Sequence, residues 1–478
     1  MTNNSSERRP VYILGAGFSK SVNAAMPITD ELGQALNAHL AGHVNFSLRP
    51  NQTFEDWLTL QVTPLPFLEG FENAKRAADA ARVVGAIARV LDDRVLEAST
   101  AAGPLWLRQL IALWHVERAV VLTFNYDTLL ERAVNSHPLT TTSPDGNVEY
   151  VLGDHVVFPA PPAPQAQFIG DSGPGHNSGS FQVLKLHGSL TWYWAAGDPT
   201  GSTLIRVREK HVFGTVDPLA LETDFVGATS LDRYLIPPIT SKDGYYGSYL
   251  ANTLWRTARS FVSSASTMTL IGYSLPPEDR AASQLIAQIP EDVAVTVVDR
   301  NPGNSDSPPS GVLGNLEHLN LTSSLASSGS DCLPDFVANR LEKAIEELPN
   351  AHEFHELPEA DADVVVAFSE GWPGLRSSLY VLAWNEAEQC FDPHRFDAIS
   401  MRGSSSPYRE RVLNTMPPGY RRPEDFVTAQ RLWSLIDGGK PFTFKHPHTR
   451  ALVVGIGAER FKIDPWEVLE LKWAPYEK

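Results

Sequence analysis

The sequence predicts an α/β fold built on a doubly wound parallel sheet, and three observations predict it. Short apolar, β-branched runs recur along the N-terminal part of the chain: PVYIL, RAVVLTF, FQVLKL, STMTLIG and VAVTVVD. Strands buried on both faces read as continuous runs of this kind. Helical candidates such as DTLLERAV and GSYLANTLWRTARSFV separate them, and that alternation belongs to a parallel sheet covered by helices. Glycines follow the first run at once, in LGAGFS, where an α/β chain turns tightly from strand into helix.

Taken in order, Val11, Ile13 and Leu14 form the first buried strand. From Thr29 to about Trp114 apolar residues recur every three or four positions, which predicts a helical insertion over about residues 30–115. The strand runs then return. Residues 158–180 (FPAPPAPQAQFIGDSGPGHNSGS) are rich in Pro, Gly and Ser and predict an exposed excursion. NPGNSDSPPSGVLGN and SSLASSGSD read as loops after the last strand and mark a domain edge. A helix from about Pro334 to Leu348 follows, with Val337, Leu341, Ile345 and Leu348 on one face and Pro349 stopping it. DADVVVAF, LYVLAWNEA and RALVVGIGAERF predict a smaller, C-terminal mixed α/β domain. The expected division is residues 1–302, a linker and helix over 303–350, and a regulatory or partner-binding domain over 351–478.

Composition narrows the function classes. At 478 residues, 42% hydrophobic and 20% charged, the chain is long enough for more than one core. No apolar run approaches the ~20 residues of a membrane span, and MTNNSSERRP lacks the apolar segment of a signal peptide. Cys332 and Cys390 are far apart and outside any CxxC pair, so no cysteine-rich metal site and no disulfide framework is expected, and a cytoplasmic location is. A formal net charge of −17 argues against direct nucleic-acid binding, which needs concentrated Lys and Arg.

Five short motifs sit where strand runs stop, and sheet ends are where α/β proteins place ligand-contacting groups. Gly15-Ala16-Gly17-Phe18-Ser19 lets backbone approach a phosphate near a helix start. Asn125 and Asp127 follow in TFNYD, where either is also suited to cap the next helix. His187-Gly188 closes FQVLKLHG, Gly272-Tyr273-Ser274 closes STMTLIGYS, and Asp299 ends VAVTVVD. An acidic side chain at such a strand end can accept from ribose hydroxyls or start a turn.

The order of these motifs resembles the sirtuin family, specifically its bacterial sirtuin-like branch in anti-phage defence, over roughly residues 10–302. By that resemblance the chain is a Rossmann-like, sirtuin-like fold that takes NAD as substrate. Gly15, Ala16, Gly17, Phe18 and Ser19, with Gly272 and Ser274, would hold the phosphates and adenosine end, and Asp299 would take the place of the ribose-binding asparagine. Asp127 would lie near the nicotinamide amide, Asn125 near the nicotinamide ribose, and His187, with near-neutral pKa, would be the general base. Thr29 and Asp30, in MPITDEL, fall where the family has its cofactor loop.

Two departures shape the expectation. Sirtuin deacylases carry four zinc-binding cysteines, which this chain lacks, and the helical insertion separates the first two motifs. Both point to NAD glycohydrolase chemistry giving nicotinamide and ADP-ribose, with no metal, in an effector that depletes NAD during infection. The alternatives are an NAD or ADP-ribose sensor without turnover, and an NAD-dependent deacylase or ADP-ribosyl transferase. A homo-oligomer or a defence partner (Argonaute-like, ATPase or nucleotide-signal-linked) is expected. HEFHE (352–356) and KHPH (445–448) lack metal-binding spacing, and the locally basic stretch from Met401 to Arg450 reads as a solvated face. The aromatics Trp192 to Trp194 read as wall or core packing near a pocket.

Overall fold

The computed structural model describes residues 8–44, 46–50, 52–136, 139–142, 148–158, 166–169, 180–195, 204–214, 231–240, 242–304 and 309–346, and the strands within 364–397 and 444–454. Strand β1 (Arg9–Leu14) opens the chain, with Val11 to Leu14 wholly buried, and the short helix α1 (Ala16–Val22) follows. Helices α2 (Thr29–His39), α3 (Phe54–Val62), α4 (Gly70–Ser99) and α5 (Leu105–Glu117) come before the next strand, so the expected insertion is helical. Their sequence explains them. Thr53 and Asp56 exchange side-chain and backbone hydrogen bonds at the start of α3. Val83, Ile87, Val90 and Leu91 make one buried stripe along α4. The Phe46 ring packs edge to face against both Phe54 and Trp57 at the foot of α3.

The chain continues through β2 (Val120–Thr123), α6 (Leu129–Ser136), the hairpin β3 (Leu139–Thr142) and β4 (Val148–Val151), the single turn α7 (Gly153–Val156), and β5 (Val157–Phe158). Next come β6 (Ala166–Ile169), β7 (Gln182–Lys185), β8 (Gly188–Ala195), β9 (Leu204–Val207) and β10 (Leu231–Leu235). Helices α8 (Asp243–Tyr246) and α9 (Tyr249–Ser263) lead to β11 (Ala265–Ile271), α10 (Arg280–Ile286), β12 (Val295–Asp299), α11 (Gly311–His318), β13 (Ser323–Ser328) and α12 (Cys332–Glu346).

Seven strands form one sheet in the order β13-β12-β11-β1-β2-β7-β5, and every pairing in it is parallel. Strand order runs outward from β1 in both directions, the doubly wound arrangement in which ligands bind where the order reverses. Leu14 stands level with Ile271 on one side and Thr123 on the other, and Thr123 is level with Lys185. The carboxyl ends of the central strands therefore form one edge. Strands β10, β8, β9 and β6 make a second, four-stranded sheet.

Two loop readings are corrected. SSLASS is not a loop but strand β13, paired in parallel with β12 at the sheet margin. Its residues are mostly exposed, so the apolar signal of a buried strand is missing and the neighbouring backbone supplies the order. GVLGNLEH within the preceding stretch forms α11. The helix expected from Pro334 begins at Cys332, and Leu348 and Pro349 lie outside the described residues. So do HEFHE, most of the 158–180 excursion, and most of Met401 to Arg450.

The chain divides into two compact units, one of residues 1–108, 117–136 and 152–336, the other of residues 109–116, 137–151 and 337–478. In the second, strands β14 (Val364–Glu370), β15 (Ser378–Asn385), β16 (Cys390–Asp397), β17 (Phe444–His446) and β18 (Thr449–Val454) form an antiparallel sheet in the order β16-β15-β14-β18-β17. The elements described after residue 346 are strands; the rest of the expected mixed domain lies outside the described residues. Among the described residues no helix is long and apolar enough to cross a membrane.

Candidate active site at the carboxyl edge of the central sheet

At the switch point the loops after β1 and β11 interlock through their backbones. The Gly15 amide donates to the Ile271 carbonyl (3.2 Å), Gly17 N–H to the Gly272 carbonyl (3.0 Å), and Gly272 N–H to the Val298 carbonyl (2.9 Å). A Cβ on Gly15 would lie 2.5 Å from the Gly272 oxygen, and one on Gly272, whose φ is +57°, 2.3 Å from the Phe18 amide. These glycines are thus required by loop-to-loop contact. Gly17 spends its amide inside the protein, and a Cβ on it would lie 2.9 Å from the Gly272 oxygen, so the same contact requires glycine here.

Beside this turn, Ser19, Asn125 and Asp127 form one hydrogen-bonded unit. Asn125 Nδ2 donates to the Gly15 carbonyl (2.8 Å) and to Ser19 Oγ (2.9 Å), and Ser19 Oγ donates to Asp127 Oδ2 (2.6 Å). Because a backbone carbonyl only accepts, the amide orientation of Asn125 is fixed, and its Oδ1 is the atom left for a ligand or water. Asp127 also accepts from the Leu129 amide at the start of α6 (3.1 Å). It is a helix-capping residue and a member of the site at once. Beneath it, buried Lys185 donates to the Asp127 carbonyl, to Glu131 (2.6 Å) and to Ser189 (3.0 Å).

His187 sits in the turn between β7 and β8, and Gly188 makes that turn possible. Gly188 has φ +90°, and a Cβ there would lie 2.0 Å from the Tyr234 carbonyl oxygen. The His187 carbonyl accepts from the Ile236 amide (2.9 Å), which pins the turn to the segment after β10. The imidazole lies against Phe124 (ring centroids 4.9 Å apart) and Trp255 (6.5 Å), and Phe124 in turn stacks on Tyr273. Nε2 is buried without a hydrogen-bond partner, 3.6 Å from Asp279 Oδ2. Burial pushes the His187 pKa down to about 3, against the upward pull of Asp279. The near-neutral pKa expected from the sequence is therefore corrected: in this site the ring is neutral throughout the physiological range.

A cavity of about 920 Å³ opens over this edge, within the range of small-molecule sites. It brings together Gly15, Ala16, Gly17, Ser19, Asn125, Asp127, His187, Gly272, Ser274 and Asp299, residues from all five motifs, with Thr29 and Asp30 on its rim. Asp30 Oδ1 also accepts from the Phe54 amide (3.0 Å), tying α2 to α3. Asp299 Oδ1 accepts from the Asn301 amide (2.8 Å), the turn-forming use of such a residue, and burial raises its pKa. Phe18 is a correction: its ring is buried edge-on against Trp106 and is not part of the cavity wall. Trp192 likewise belongs to the core, beneath Arg206 (5.7 Å), and not to the wall.

The charged wall residues that the sequence does not single out include Glu55 of α3, Lys242 before α8, and Asp279 before α10. Lys242 Nζ lies 3.2 Å from Asp279 Oδ1, both side chains about 95% buried. Burial raises the Glu55 pKa to about 7, against Lys242, which lowers it. Asp279 follows closely on the Gly272-Tyr273-Ser274 motif, but Glu55 and Lys242 follow no spacing that a single sequence reveals. Among the described residues no group of histidine, cysteine or acidic side chains is placed to hold a metal ion.

No family model matches the chain, and no curated protein does. Among solved structures it is similar to a Sir2 in complex with an inhibitor, 2'-O-acetyl-ADP-ribose and a deacetylated peptide, at 14% identity and a TM-score of 0.33, over 70% of this chain and 94% of that one. A Sir2 homologue variant with ADP-ribose matches at 15% identity and 0.33, over 71% and 94%. Another variant, with 2'-O-acetyl-ADP-ribose, matches at 15% and 0.36, over 72% and 95%. The fold class itself rests on the order and direction of the seven strands.

Proposed function

We propose that this chain is an NAD glycohydrolase, which cleaves the nicotinamide–ribose bond to give nicotinamide and ADP-ribose. The observation that carries the reading is the meeting of all five motifs on one dinucleotide-sized cavity at the switch point of a doubly wound sheet. The chemistry fits the residues present. Nicotinamide leaves with the electron pair of the broken C–N bond, which neutralises its pyridinium, so no acid is needed for the leaving group. Water must reach the anomeric carbon as positive charge develops on the ribose. Asn125 Oδ1, held by the amide's two fixed donations, is suited to accept from that water or from a ribose hydroxyl. His187, neutral, takes the proton that the water loses as its oxygen bonds to the sugar.

In the cell this activity would deplete NAD as an anti-phage response, with the C-terminal unit reading the trigger or a partner protein. That role rests on the motif resemblance alone. Excess purified protein incubated with NAD in a single-turnover format is expected to give nicotinamide and ADP-ribose in equal amounts. Asn125→Ala and His187→Ala are expected to abolish both products. Products that persist in both variants overturn the assignment. One observation favours a second reading: a histidine held at a pKa of about 3 is a weak base, which suits a binding module. NAD that binds tightly and remains intact under every condition decides for that sensor.

A further inference from the structure

Asp279 occupies the N-cap position of α10, where an aspartate side chain ordinarily accepts from the first-turn amides. Here it makes no such bond. Its backbone carbonyl accepts from Ser283 (3.0 Å), but its carboxylate turns away from the helix and into the cavity wall. There Oδ1 lies 3.2 Å from Lys242 Nζ, and Oδ2 accepts from the Tyr273 hydroxyl (3.4 Å). Oδ2 also lies 3.6 Å from His187 Nε2, a buried nitrogen with no other partner. An N-cap bond stabilises a helix start, so the residue forgoes local helix stability for this orientation. Glu55 is the other acidic group facing the same cluster.

Resting on the hydrolase reading, we propose that Asp279 is the positioning residue of this site. Lys242 and Tyr273 hold its carboxylate so that it receives the Nε2 proton of neutral His187, leaving the lone pair on Nδ1 to accept the proton from water. The 3.6 Å separation shortens to a hydrogen bond when substrate closes the site, as such contacts commonly do. Once Nδ1 is protonated, the imidazolium faces the Asp279 carboxylate, and the proton returns to solvent with the products. Lys242 compensates the carboxylate in the resting state.

The test compares Asp279→Asn, Asp279→Ala and Asp279→Glu. The asparagine amide donates toward Nε2 and so imposes the opposite tautomer, whereas alanine imposes none. Asp279→Asn is therefore expected to lower kcat for NAD cleavage by about 100-fold or more, in line with tautomer-fixing aspartates elsewhere. KM should change by less than about threefold, Asp279→Ala should retain more activity than Asp279→Asn, and Asp279→Glu should recover part of it. A purely structural role predicts the reverse ranking, with alanine worst, and overturns the proposal. Because Asp279→Asn leaves Lys242 buried without its partner, the double variant Asp279→Asn with Lys242→Met repeats the comparison in a neutral wall. Nitrogen-15 NMR of His187 supplies a readout independent of turnover: an Nε2–H tautomer in the parent that switches to Nδ1–H in Asp279→Asn. The expected tautomer switch between parent and Asp279→Asn, in a parent that never cleaves NAD, keeps the positioning role and sinks the hydrolase reading. A parent that cleaves NAD while its Asp279→Asn variant matches it does the opposite.

Discussion

Replacing His187 with glutamine removes a titration that the fold makes costly, and the effect on stability follows from the burial of the ring. His187 is held at about 3 in the folded protein against 6.5 for an ordinary histidine. The folded pKa is depressed, so the unfolded chain binds the proton more tightly. The resulting stability is fully present above pH 6.5 and is lost as pH falls through that window toward 3. Each pH unit carries about 1.4 kcal/mol, so acidifying from pH 6.5 to pH 5 removes about 2 kcal/mol through this one residue. Other buried groups run the opposite way, since burial raises Asp92 and Asp154 to about 6. The informative quantity is therefore a difference. Urea unfolding of the parent and of His187→Gln at pH 5, 6 and 7 should show the parent losing about 2 kcal/mol more than the variant on acidification. Parallel pH dependences in the two proteins refute a buried, neutral His187.

Four further outcomes follow from the same geometry. Gly188→Ala, with φ +90° and a Cβ 2.0 Å from the Tyr234 carbonyl, should cost more than about 4 kcal/mol, while Gly42→Ala, at φ +82° with open space around it, should cost about 1 kcal/mol by thermal unfolding. Lys185→Met leaves Glu131 as an unpaired buried charge and should cost about 3–5 kcal/mol, with Lys185→Met/Glu131→Leu restoring part of it. Glu55, raised to about 7, ionises as pH rises through neutrality and adds negative charge to a wall that, on the proposed reading, accepts a pyrophosphate. Isothermal titration should thus show NAD binding weakening severalfold from pH 6 to pH 8 in the parent and staying level in Glu55→Gln. Asn125→Asp, which replaces the fixed donor toward the Gly15 carbonyl with an acceptor, should lower kcat more than it raises KM.

The sheet was legible because its central strands are buried on both faces, and β-branched runs such as VAVTVVD admit few other readings. Strand β13 was not, because an exposed edge such as SSLASS carries polar residues whose order is imposed by β12. The five motifs were legible for a related reason: each stands at the end of a strand run, and parallel register brings those ends together. The electrostatics were not. Burial of His187 against Phe124 and Trp255, with Tyr273 stacked on Phe124, draws on residues far apart in the chain, and no local pattern encodes it. Lys242 and Glu55 likewise enter the site through a turn and an insertion whose positions only the fold defines. Phe18 shows the converse error, since adjacency within GAGFS suggested a ligand contact where the helical turn of α1 sends its ring into the core.

Single-turnover cleavage of NAD in oxygen-18 water, followed by mass spectrometry of the nucleotide product, tests the hydrolytic claim most directly. Water attack at the anomeric carbon predicts nicotinamide and ADP-ribose in equal amounts, with one solvent oxygen in each ADP-ribose. Intact NAD throughout, or nicotinamide released while ADP-ribose becomes attached to protein, would contradict the account.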